Sequence, residues 1–199
     1  ILNQPKLRIK PDVFATNRSK ESYEKYGGYL PIYEKENAFQ FLDDYDQIAI
    51  IDADIYIRPN ARNIFDQMNC KCAFGAVCER EMDIQDWYKK KIINYSYMQY
   101  ERLHDFGGIN FKPNELGFEF FNMGMIVINS QIFKPYLNGQ TPRQFLERME
   151  FKDFIDGQGA WKWSTDQTLL NYFLKKYNVP TKHINPTFNG LFTAVNNIK

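Results

Sequence analysis

Histidine and cysteine are scarce in this chain: two histidines and three cysteines among 199 residues. The cysteines, Cys70, Cys72 and Cys78, fall in one short region, far in sequence from His104 and His183. Zinc would want a fourth ligand at suitable spacing, and the spacing offers none. An odd count also excludes a fully paired disulfide framework, so the expectation is free buried thiols in a reducing, cytoplasmic setting. Long apolar runs are missing too. Nothing approaches the roughly 20 residues that span a bilayer, and no secretory leader opens the chain, so no membrane span is expected. Neither sign of charge dominates: 25 basic and 24 acidic residues leave a formal charge of +1. They are interspersed, which argues against a broad nucleic-acid surface, and the small cluster Lys89-Lys90-Lys91 reads as the solvated face of a helix. Internal repeats and linkers rich in proline, glycine or serine are absent as well, so residues 1–199 read as one domain.

Present instead are apolar residues at 44% and aromatics at 17%, ample for a sizeable core. The most informative stretch is Gln47-Ile48-Ala49-Ile50-Ile51, an apolar run that ends in Asp52-Ala53-Asp54. It reads as a short buried strand. If the chain stays extended, through Ile55-Tyr56-Ile57 until Pro59-Asn60, residues i and i+2 point the same way and both carboxylates face one side of the strand's C-terminal end. Open α/β sheets bind ligands at that edge. Two carboxylates so close repel unless a cation lies between them, and a hard divalent ion that also holds a diphosphate would serve. Against this, Asp-x-Asp is a weak pattern, and a second copy stands at Asp44-Tyr45-Asp46 with no strand before it.

Other segments fill in an alternating pattern. A weak strand is expected around Val13-Phe14-Ala15, a turn at Tyr26-Gly27-Gly28-Tyr29, and a helix from Tyr33 to Leu42. A short helix near Ile64-Phe65 leads to a buried strand within Cys72–Cys78, followed by an amphipathic helix from Ile84 to Leu103 with Trp87, Tyr88, Ile92 and Tyr95 on one side. Phe118 to Asn129 reads as a second strong strand carrying Asn122 and Gly124, either as a bulge or as a close approach of backbone to ligand. Thr141-Pro142 opens a helix through Met149, and Gly157-Gln158-Gly159 is a joint. Ser164 with Gln167 forms a candidate capping box for a helix that buries Leu169, Leu170, Phe173 and Leu174. Such alternation favours a mixed α/β sheet covered on both faces.

Taken in order, Asp52-Ala53-Asp54, Phe121-Asn122-Met123-Gly124-Met125-Ile126-Val127-Ile128-Asn129-Ser130 and Asp166-Gln167-Thr168-Leu169-Leu170-Asn171 resemble the motifs of nucleotide-sugar glycosyltransferases of the GT-A fold, closest to the glycogenin-like retaining group. The resemblance runs from about Tyr33 to Asn185. It implies a mixed central sheet flanked by helices and a metal-dependent transfer of a sugar from a nucleoside diphosphate, a UDP-sugar foremost, to an unknown acceptor. Residue by residue it implies that Asp52 and Asp54 hold Mn2+ or Mg2+ and that Lys35, Asp52, Ala53, Asp54, Asn122, Gly124 and Asn185 contact the donor. Asp166 and Gln167 would lie at the reaction centre. The chain departs from the family in lacking a recognisable opening strand and helix before Leu7 and a late third metal-ligand histidine, and it starts at Ile1. These departures suggest a fragment short at both ends, with weak activity. Two other classes remain open. A haloacid-dehalogenase-type phosphatase or phosphotransferase also ends a strand in Asp-x-Asp, with Asp52 as nucleophile, although Tyr56 stands where that family has Thr or Val and Lys152-Asp153 with Asp156 match its later motif poorly. A non-catalytic nucleotide-sugar-binding module is the other.

Overall fold

Burial recurs every third residue in the segment before the acid-tipped strand: Tyr33, Glu36, Phe39 and Leu42 are all at most 5% exposed. An α-helix would carry the last of these to the opposite side of the first, whereas a helix of about three residues per turn keeps the four in one line. The segment Pro31–Asp43 is accordingly a 3-10 helix, tighter than the expected helix. In the computed structural model, residues 24–25, 31–68, 71–107, 109, 111–157 and 165–190 are described. The expected strand around Val13 and the turn at Gly27-Gly28 lie outside them, as do Cys70, Gln158, Gly159 and Ser164.

Four strands, β1 (Gln47–Ile51), β2 (Phe74–Cys78), β3 (Phe121–Asn129) and β4 (Thr181–His183), form one sheet in the order β1-β3-β2-β4. Strand β3 runs antiparallel to both β1 and β2, while β4 lies parallel to β2. The sheet is mixed and open, and the chain belongs to the α/β class. Helices follow as α1 (Asp86–Gly107), α2 (Ser130–Leu137), α3 (Pro142–Leu146), α4 (Lys152–Asp156) and α5 (Asp166–Lys176).

Both faces of the sheet are covered at its two central strands, which is why β2 and β3 read as nearly continuous apolar runs. Phe74, Ala76 and Cys78 of β2 and Ile126 and Ile128 of β3 face the larger core, built with the 3-10 helix and with α2, α3 and α5. Val77, Met125 and Val127 face the smaller one, with Met82, Ile84, Ile92 and Ile184. Helix α5 buries Leu169, Leu170, Phe173 and Leu174 as its spacing required. Thr141 caps α3 through a full capping box with Gln144, and Pro142 opens it. That helix stops at Leu146, and a 3-10 turn, Met149–Phe151, replaces its expected end. Helix α2 was not anticipated, because Pro135 inside it argues against a helix. Trp87 is 53% exposed at the start of α1 rather than on its buried side.

Beyond Ile51 the chain does not stay extended. Asp52 to Asp54 is a turn, closed by Ile55 N–H donating to the Asp52 carbonyl at 3.1 Å. Ile55-Tyr56-Ile57 forms no strand, and Tyr56 is 80% exposed.

Candidate active site

A bulge in β3 prepares the site. Ala76 of β2 opposes Ile126, but the next residue, Val77, opposes Asn122, so Met123, Gly124 and Met125 are skipped in the β2 ladder. Skipped backbone groups need other partners, and the motif side chains supply them. Met123 N–H donates to Gln167 Oε1 at 3.2 Å, and the Met123 carbonyl accepts from Lys35 Nζ at 3.0 Å. Gly124 N–H donates to Asn122 Oδ1 at 2.9 Å, while the Gly124 carbonyl accepts from Asp52 N–H at 2.8 Å. Gly124 is closely packed here. A Cβ on it would stand 3.0 Å from Asn122 Oδ1, 3.3 Å from Asn189 Nδ2 and 3.4 Å from Asp52 Oδ2. The bulge reading of this glycine holds, and the close approach at it is by the protein's own Asn122, Asn189 and Asp52 side chains.

The three-residue repeat of the first helix also sets the site's chemistry. With Glu36 on the buried line, Ile32, Lys35, Ala38 and Phe41 share the adjacent line and form one wall of a cleft of about 790 Å3, within the ~300–1,000 Å3 typical of small-molecule sites. The opposite walls are Ile50 to Ala53 from the end of β1, Asn122 and Gly124 from β3, and Thr165 to Gln167 at the start of α5. Lys35 stands at the centre, 2.7 Å from Asp52 Oδ1 and 3.0 Å from Asp166 Oδ2. Burial pulls the Lys35 ammonium down, but the Asp166 and Asp52 carboxylates outweigh it and hold it above its usual range. Asp166 is buried in the first turn of α5. Burial pushes its carboxyl up, against the opposing pull of Lys35.

Glu79, just past β2, organises the far side and was not singled out from the sequence. Its Oε1 accepts from Asn122 Nδ2 and from Gln167 Nε2, both at 2.9 Å. Burial raises its pKa while these two donors hold it down. Asn171 extends the network by clasping the backbone of Phe121, accepting from its N–H and donating to its carbonyl at 2.8 Å each. Asn189 donates to Asn122 Oδ1 at 2.7 Å. No sequence signal distinguished Glu79 or Asn189, since each acts only through partners more than 40 residues away.

The structure thus gathers Lys35, Asp52, Ala53, Asn122, Gly124, Asp166 and Gln167 into one cleft. Asp54 is exposed and does not line it, because the turn at Asp52 breaks the two-residue periodicity that would have put both carboxylates on one side. Asn185 is likewise elsewhere: it caps the 3-10 helix Pro186–Phe188, its Oδ1 accepting from Thr187 N–H at 2.9 Å. Gln167 is not the partner of a capping box, for its amide is spent on Glu79 and Met123, and Thr165, the residue before α5, makes no side-chain cap.

The cleft lining has three acids, Glu34, Asp52 and Asp166, against Lys35 as its single cation among the described residues. Of the two aspartates expected to hold a metal only Asp52 lines the cleft, and that carboxylate alone is no cage for a resident divalent ion. An ion bound there would need most of its oxygen ligands from elsewhere. No protein-family model, curated protein or solved structure matches the chain.

Proposed function

We propose that this chain is a GT-A-type glycosyltransferase of the glycogenin-like kind, transferring a sugar from a nucleoside diphosphate, UDP foremost, to an acceptor. The observation that carries the reading is convergence: three motifs spread from Asp52 to Gln167 line one cleft around Lys35. Chance Asp-x-Asp or Asp-Gln pairs have no reason to meet, and the carboxyl ends of β1 and β2 are where open α/β sheets take ligands.

In this reading the donor's diphosphate lies against Lys35, whose ammonium stabilises the charge that develops as the diphosphate leaves. A Mn2+ or Mg2+ ion brought by the donor would be held by Asp52 and would supply Lewis-acid stabilisation of the same charge. Gly124 lets Asn122, Asn189 and Asp52 close in on the strand, and Asn122, kept in place by Glu79 and Asn189, faces the sugar. Gln167 and Asp166 stand by the anomeric carbon. The phosphatase reading is less well supported, since Asp54, which would be its acid and base, does not line the cleft.

The experiment is calorimetric titration with a panel of nucleoside diphosphate sugars in the presence of Mn2+, with donor hydrolysis followed in parallel. Binding with hydrolysis that Asp166→Asn suppresses is the expected result. Binding without turnover in the presence of candidate acceptors would leave a binding module, and no binding by any donor would overturn the proposal.

A further inference from the structure

A second cluster lies on the other side of Glu79. Cys78 ends β2, Glu81 follows in the 3-10 turn Glu79–Glu81, and His183 ends β4. Parallel pairing sets His183 opposite Ala76, so Cys78, two residues further along β2, lies on the same face as that partner. One ligand atom from each of Cys78, Glu81 and His183 falls within 4.8 Å of the other two. With metal bonds of about 2.0–2.3 Å, a tetrahedral ion would draw the thiol in and part Glu81 slightly from the imidazole. We propose that Cys78, Glu81 and His183 bind a zinc ion that fastens β4 to the end of β2, a site separate from the cleft and independent of the reading given to it.

The choice of metal follows from the ligands. A thiolate with an imidazole and one carboxylate is a soft-to-borderline set that favours zinc over magnesium or manganese, and the two anions balance the ion's charge. The histidine is already oriented. Its Nδ1 faces Glu81 Oε1 at 2.5 Å and its Nε2 faces Glu119 Oε1 at 2.6 Å. With Nδ1 on zinc, Nε2–H donates to Glu119, which is itself paired with Lys175. A carboxylate on the outer nitrogen of a metal-bound histidine fixes its tautomer and ring plane. Cys78 is buried, Glu81 exposed and His183 half-buried, so the ion has an approach from solvent and a fourth position for water. Without metal, the same groups are a histidine hydrogen-bonded between two carboxylates beside a thiol.

The test uses the whole chain, reduced and stripped with chelator, then titrated with Co2+. A thiolate-to-cobalt charge-transfer band in the near ultraviolet, erased by one equivalent of Zn2+, is expected in the wild type and in Cys72→Ser. An ion on the oxygens of the cleft gives no such band, so the two sites are read apart. Cys78→Ser and His183→Gln should each lose the band, and Glu119→Gln should weaken zinc affinity by about 10- to 100-fold. Cys78 is in the core, so if Cys78→Ser does not fold, His183→Gln carries the test at a half-exposed position. No band in the wild type, a band that survives Cys78→Ser, or zinc affinity unchanged in His183→Gln overturns the proposal.

Discussion

Gln167 donates to Glu79 Oε1 across 2.9 Å, so the first turn of α5 is bound to the end of β2 rather than capped by its own side chain. Its carbonyl oxygen meanwhile accepts from Met123 N–H inside the bulge. One side chain therefore holds together three segments, each contributing a wall of the cleft or its support.

Gln167→Ala removes a donor from a buried carboxylate and an acceptor from a buried N–H. Unfolding by urea should show a loss of about 1–3 kcal/mol, the cost of leaving such groups unsatisfied. Glu79→Met in the same background should cost less than it does alone, because the partner is already gone. Strictly additive losses would mean that the Glu79–Gln167 bond contributes nothing.

Gly124→Ala places a methyl 3.0 Å from Asn122 Oδ1 and 3.4 Å from Asp52 Oδ2. Overpacking of this kind costs about 1–3 kcal/mol. Because the displaced groups line the cleft, donor affinity by calorimetry should fall along with the melting temperature. A variant with wild-type affinity would show that the donor does not approach this strand.

Nucleotide binding should depend on a divalent ion, since three acids face Lys35 alone in the cleft lining. Chelator should weaken UDP binding and Mn2+ restore it. Asp52→Asn should lower turnover by about 2–4 kcal/mol of transition-state stabilisation, whereas Asp54→Asn, at an exposed residue outside the lining, should cost less. Equal binding with and without chelator would remove the ion from the mechanism.

Glu36 is fully buried, and neither carboxyl oxygen is hydrogen-bonded to another residue. Burial first, and then the nearby Asp166 charge, push its pKa well above its ordinary 4.5. A carboxyl whose folded pKa is raised keeps a proton that the unfolded chain releases. Its contribution is therefore fully present below pH 4.5 and lost as pH rises through the folded value. Glu36→Met, which removes the ionisable group, should stabilise the protein by about 1–3 kcal/mol at neutral pH and flatten the decline of stability above pH 4.5. Melting curves across pH decide it: an unchanged slope would show that Glu36 is not the titrating group.

The strands were legible from sequence because local pattern determines them. Phe121–Asn129 is an apolar run covered on both faces, and α5 announced its buried face through Leu169, Leu170, Phe173 and Leu174; Gln47–Ile51 forms its strand but, at the sheet edge, buries only Ile48 and leaves Ile51 exposed. The convergence of the motifs was not legible from local pattern: only the family resemblance implied it, and spacing alone made Gln167 a helix cap. The repeat of burial at Tyr33, Glu36, Phe39 and Leu42 was not read, because a charged residue occupies one of its four places. Only the tertiary structure decided the rest. A turn, set by one backbone hydrogen bond after Asp52, took Asp54 out of the cleft, and a bulge exposed the backbone that Lys35 and Gln167 occupy. Residues distant in sequence became neighbours, Glu79 with Gln167, Asn189 with Asn122, and His183 with Cys78. Periodicity tells which face of an element is buried, but contacts between elements depend on how strands pair and cross, and no spacing along the chain encodes that.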